Sequence, residues 1–112
     1  MKAKELATLL EGVIVTNKAT IENTFNGVYA GDLLSNVMAN AKEDNLFVTI
    51  MANINTIGVA SLKDLPIIVL GEGKQANDIM IEKANEEKIA IIETPKNIVE
   101  VIRKIYSNEV LL

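Results

Sequence analysis

Apolar residues recur along this chain as short β-branched runs separated by stretches of helical spacing. Leu6, Leu9 and Leu10 predict a short first helix, closed by Gly12 as its C-terminal cap. Val13-Ile14-Val15 then reads as a buried strand. Thr16 to Asn26 is polar, with Ile21 as its main anchor, and reads as a connection. Phe25 and Val28-Tyr29-Ala30 predict a second strand, interrupted at Asn26-Gly27 by a tight turn or a bulge. Asp32 stands where a helix N-cap belongs, and Leu33, Leu34, Val37, Met38 and Ala41 follow at helical spacing, predicting a helix over about 33–43.

The second half alternates more regularly. Leu46 to Met51 is a third strand, after which Asn53 or Asn55 caps a short helix carrying Ile57, Val59, Ala60 and Leu62. Pro66 to Leu70 is a fourth strand that leaves through the turn Gly71-Glu72-Gly73. A helix over about 76–87 and a fifth strand, Ile89 to Ile92, come next. Pro95 opens the last helix, whose buried stripe is Ile98, Val101, Ile102 and Ile105. Strands that are apolar on both faces and alternate with helices fit a sheet covered on two sides. The expected fold is α/β: one domain over residues 1–112, three layers (α/β/α), with a mixed, mostly parallel sheet of about five strands.

Composition narrows the chemistry. The 112 residues include no Cys, no His and no Trp. A disulfide framework, a thiolate or imidazole metal site, a Cys nucleophile and a Ser-His-Asp triad are therefore outside the reach of this chain. Fifteen acids against eleven bases give a net charge of -4, and the lysines are scattered singly, so no basic face for nucleic acid is expected. No long apolar run follows Met1-Lys2-Ala3-Lys4-Glu5, and none approaches the roughly 20 residues that span a bilayer; no leader, no membrane association and a cytoplasmic location are expected. Met38, Met51 and Met80 fall on apolar faces and read as core.

Candidate sites gather in two loops. Gly71-Glu72-Gly73-Lys74 follows a strand and opens a helix, with Glu93 about 20 residues on, in the layout of a dinucleotide fingerprint. With 19 residues beyond Glu93, a full dinucleotide fold is not expected, and Glu72 would oppose a phosphate. Gln75 stands where a P-loop needs Ser or Thr, so no kinase or NTPase engine is expected. Ala52-Asn53-Ile54-Asn55-Thr56 follows the third strand. If strands three to five are parallel, this loop, the Gly71-Glu72-Gly73 turn and Glu93-Thr94 share one sheet edge near a topological switch point, where Asn53, Asn55, Gly71, Glu72, Gly73 and Thr94 suit hydrogen bonding to a small polar ligand. The alternative role for the two asparagines is capping. Glu43-Asp44 and Glu86-Glu87 sit at helix ends, where neighbours point apart, and do not form a paired acid and base.

The run Tyr29-Ala30-Gly31-Asp32-Leu33-Leu34-Ser35-Asn36-Val37-Met38 is followed by Val48-Thr49, Asn55-Thr56-Ile57-Gly58-Val59-Ala60, Ile67 to Leu70 with its glycine turn, Glu82 to Glu87, Ile89 and Glu93-Thr94. In this order the motifs resemble the DRTGG domain family, including its stand-alone members, and are similar to the amino-terminal domain of HPr kinase/phosphorylase. The resemblance runs from about residue 5 to 106. It implies an α/β/α fold, self-association into homodimers, a regulatory role with a protein partner or small ligand, and neither catalysis nor a cofactor. The chain departs from the signature at Ala52-Asn53-Ile54-Asn55, in place of Asp-Arg, and at Gly71-Glu72-Gly73, in place of Thr-Gly-Gly. If the signature residues bind a ligand in other members, the first change removes an anion clamp and the second, through Glu72, opposes one.

Overall fold

A computed structural model describes residues 1–107; the tail of the expected 1–112 unit, residues 108–112, lies outside the described residues. In chain order the elements are α1 (Ala3–Leu9), β1 (Val13–Ile14), a 3-10 turn (Lys18–Thr20), β2 (Val28–Ala30), α2 (Leu34–Asn40), β3 (Leu46–Thr49), α3 (Ile54–Leu62), β4 (Ile67–Leu70), α4 (Asp78–Glu86), β5 (Ala90–Glu93) and α5 (Ile98–Tyr106). The strands form one sheet in the order β1-β5-β4-β3-β2. Strands β2 to β5 are parallel, and β1 pairs antiparallel with β5.

Strand side chains alternate between two cores, as the pleat requires. Leu46, Val48, Ile67, Val69, Ala90 and Ile92 face α1 and α5, where Leu6, Leu10, Val101 and Ile105 meet them. Phe47, Ile68, Leu70 and Ile91 face α2, α3 and α4, where Val37, Ile57, Met80 and Ala84 close the second layer. The expected three-layer, mostly parallel architecture is therefore present, and the continuous β-branched runs are its cause.

Several local expectations are corrected. The left-handed residue that ends α1 is Glu11 (φ 53), not Gly12. Glu11 N–H donates to Thr8 O and Gly12 N–H to Ala7 O, the paired bonds of a Schellman stop. Gly12 instead permits close approach: a Cβ there would lie 2.7 Å from Glu93 O and 2.9 Å from Ile92 Cγ2. The same stop ends α3 at Asp64 (φ 57) and α4 at Lys88 (φ 59), dropping Leu65 and Ile89 into the core. The first strand is an exposed edge rather than a buried run, with Val13 62% exposed. Thr20 and Phe25, not Ile21, anchor the connection after it, and Phe25 lies outside β2. Met38 is exposed and Met51 half-buried, so Met80 alone of the three is core.

Two helix starts also differ. Asp32 does not cap α2, which begins at Leu34 behind Leu33 and ends at Asn40. Pro95 precedes α5 without opening it; Asn97 is the cap, in a capping box with Glu100. Asn53 caps α3 and Asn77 caps α4. The polar connection wraps the amino-terminal edge of the sheet. Asn23 Nδ2 donates to Pro66 O (3.0 Å) and Lys88 O (2.8 Å), tying down the entries to β4 and β5.

Candidate functional site

Because β3, β4 and β5 are parallel neighbours, the loops that follow them come together at one sheet edge. Asn53, Gly71, Glu72, Gly73 and Thr94 all lie along it, with Asn55 in the first turn of α3. The connection after β4 leads to α4 on one face, and that after β5 leads to α5 on the other. Neighbouring strands whose exits part in this way create the crevice in which open α/β sheets hold ligands. A shallow cavity of about 200 Å³ sits there, with Glu11, Gly73, Lys74, Glu93 and Thr94 among its walls.

The polar groups of this edge are engaged with one another. Glu72 (φ 57) and Gly73 (φ 72) are both left-handed, and Gly71 O accepts Lys74 N–H at 3.1 Å, which makes the turn of the primed kind. Its amides point at the loop after β5: Glu72 N–H donates to Lys96 O (2.8 Å) and Gly73 N–H to Thr94 O (3.0 Å). A Cβ on Gly71 would meet Ile98 Cδ1 and Lys96 O, each at 3.1 Å, so the closeness of the two loops explains this glycine without a ligand. Ala76 N–H, just ahead of the α4 cap, donates to Glu93 Oε2 at 2.8 Å. The acid that a dinucleotide fingerprint would turn toward a ribose is thus spent on the approach to the helix.

Thr94 is 1% exposed. Its hydroxyl donates to Leu10 O at 2.8 Å and accepts Lys96 N–H at 3.3 Å, joining the end of α1 to the loop before α5. Asn53 Oδ1 accepts Asn55 N–H at 2.9 Å, which is the capping role. Asn55 and Glu72 keep exposed side chains. Two carboxylates also organise the edge: Glu93, expected there beside Thr94, and Asp32, expected instead as a helix cap, whose Oδ1 accepts Thr49 Oγ1 (2.8 Å) and Ile50 N–H (3.0 Å). An acid at the carboxyl end of a parallel strand, beside a loop rich in unpaired amides, was the available signal for both.

Displaced pKa values belong to the opposite end of the sheet. The hydrogen bond from Lys2, reinforced by that from Lys4, pulls Glu22 down to about 2, and Glu22 in turn raises Lys2. Lys83 and then Ser61 hold Glu87 below the usual carboxylate range. Among the described residues, no group of three or more acids is placed to hold a metal ion, and no helix is long and apolar enough to cross a membrane.

No family model matches the chain, and no curated protein matches it in sequence. Its structure is similar to that of the CBS and DRTGG domains of the regulatory region of Clostridium perfringens pyrophosphatase, solved in complex with its activator, diadenosine tetraphosphate. The TM-score is 0.77 at 13% sequence identity, over 93% of this chain and 45% of that one. The present chain thus spans less than half the length of its structural neighbour. A five-stranded mixed sheet in three layers, matched over nearly all of its length by that regulatory region, gives this chain a DRTGG-like fold.

Proposed function

We propose that this protein is a non-catalytic regulatory module of the cytoplasm that works as a homodimer. One observation carries the reading. At the sheet edge where an α/β protein would place its chemistry, the amides of Ile50, Glu72, Gly73 and Ala76 are each engaged by an acceptor of the chain itself. Such an edge is rigid and short of open donors, which suits a scaffold for protein contact better than a site that stabilises developing charge. The likeness to a regulatory region of a larger enzyme points the same way. Light scattering at micromolar concentration tests the reading: a particle of twice the monomer mass is expected, and a strict monomer overturns it.

A second reading, a small-ligand sensor, draws on the nucleotide held by the pyrophosphatase region. In this chain it would use the cleft between the turn at Gly71-Glu72-Gly73 and Thr94, with Asn53 and Asn55 alongside. A ligand that binds the folded state raises the melting temperature by mass action. Thermal shifts with nucleotides and with inorganic phosphate decide it; no shift at millimolar concentration removes the sensor reading.

A further inference from the structure

Strand β2 ends the sheet, and among the described residues no strand pairs with its outer edge. Gly27 O accepts Leu46 N–H and Gly31 N–H donates to Val48 O, so the ladder to β3 uses alternate residues and leaves the N–H and C=O of Val28 and Ala30 facing outward. Soluble proteins blunt such edges with lysine, proline, a bulge or extreme shortness. The other edge strand, β1, is two residues long and is entered past Glu11. Asn26-Gly27-Val28-Tyr29-Ala30-Gly31 has no charge and no proline, and the glycines on either side present no side chain to hinder approach. Beside it runs a groove of about 500 Å³, the walls of which include Tyr29, Asn40, Lys42, Glu43 and Tyr106.

The geometry points to a second copy of this chain as the occupant, with the two β2 strands paired antiparallel about a two-fold axis at Tyr29. This rests on the homodimer reading and names its interface. In that register Val28 faces the partner's Ala30, both with outward backbone groups, and each such pair exchanges two N–H···O=C bonds. The two Tyr29 residues meet at the non-hydrogen-bonded position, where cross-strand aromatic pairs are favourable. An interface of this kind is isologous and closes at two copies. A stable dimer needs about 800 Å² from each partner, more than three residues supply. The flanks add to it: Tyr106, 50% exposed, lines the groove, and α2 lies against β2 through the bond from Tyr29 Oη to Asn36 O.

Ala30→Pro tests the inference, because it deletes an outward N–H without touching the ladder to β3, and proline is tolerated on edge strands. Ala30→Lys, which sets a lysine at the same exposed position of the edge strand, carries the test should the proline variant fail to fold. Leu62→Lys, on the outer face of α3 where Leu62 is 74% exposed, is the control. Sedimentation equilibrium is expected to show dimeric wild-type and Leu62→Lys proteins. In the two edge variants, with circular dichroism unchanged, dimer affinity should fall at least ~10-fold. Edge variants that dimerise like wild type, or dissociation by Leu62→Lys alone, overturn the interface and leave the homodimer standing. A monomeric wild-type protein removes both.

Discussion

The carboxylate of Asp32 reaches across from the end of β2 to the fully buried hydroxyl of Thr49 at the end of β3, with 2.8 Å between Oδ1 and Oγ1. The same oxygen takes the Ile50 N–H, and Thr49 Oγ1 takes the Met51 N–H, so one acid orders the whole exit from β3. Asp32→Ala leaves two donors without their acceptor, one of them buried, and should cost about 1–3 kcal/mol. Asp32→Asn keeps an acceptor oxygen and should cost less. Urea denaturation of the two variants measures this; equal, negligible losses would contradict the tether.

Two glycines should respond with opposite signs. At Gly12 an added Cβ strikes the Glu93 carbonyl, part of the backbone of β5, which cannot move aside. Gly12→Ala should destabilise by about 1–3 kcal/mol. Gly58 lies within α3 with nothing within 4 Å of its Cβ position, so Gly58→Ala should stabilise by about 0.4–1 kcal/mol. Thermal unfolding of both variants checks the pair. A stability gain on Gly12→Ala would mean that the approach of α1 to β5 is looser than found.

Lys88 holds a left-handed conformation to end α4, a position that glycine fills without steric cost. Its side chain is exposed, and its carbonyl bond from Asn23 survives any substitution. Lys88→Gly should therefore raise stability, by up to ~1 kcal/mol. Chemical denaturation reads the change, and a loss would assign the Lys88 side chain a role in the fold.

Glu22 gives the chain a specific acid sensitivity. Its folded pKa of about 2 lies below the ordinary carboxylate value, so its ion pairs with Lys2 and Lys4 contribute fully above the unfolded pKa. That contribution is lost as pH falls from about 4.5 toward 2. The pairs are solvent-exposed, which keeps the effect small. Glu22→Gln should lower stability slightly at neutral pH, leave it unchanged near pH 2 and so flatten the acid limb of the profile; an unaltered acid limb would contradict the pairing.

The layers were legible in the sequence because β-branched runs such as Ile67 to Leu70 and Ile89 to Ile92 have one stable use, a strand buried on both faces. The shared edge was legible too, since parallel strands must release their loops on the same side. What escaped was how polar side chains are spent. Asp32 has the position of an N-cap, yet Thr49 and the Ile50 amide, 17 and 18 residues away, compete for it, and only tertiary packing reveals that competition. Gly12 and Gly71 looked like cap and turn residues; both prove to allow close approach to backbone from distant strands and loops. Thr94 was expected to offer a hydroxyl to a ligand, and its bond to Leu10, 84 residues away, is equally invisible to local pattern.

An NMR titration of the uniformly nitrogen-15-labelled protein with diadenosine tetraphosphate bears most directly on whether this sheet edge is closed by its own acceptors. The account predicts that the amides of Ile50, Glu72, Gly73 and Ala76 stay in place at millimolar nucleotide. Saturable shifts confined to those amides would contradict it and establish the edge as a ligand site.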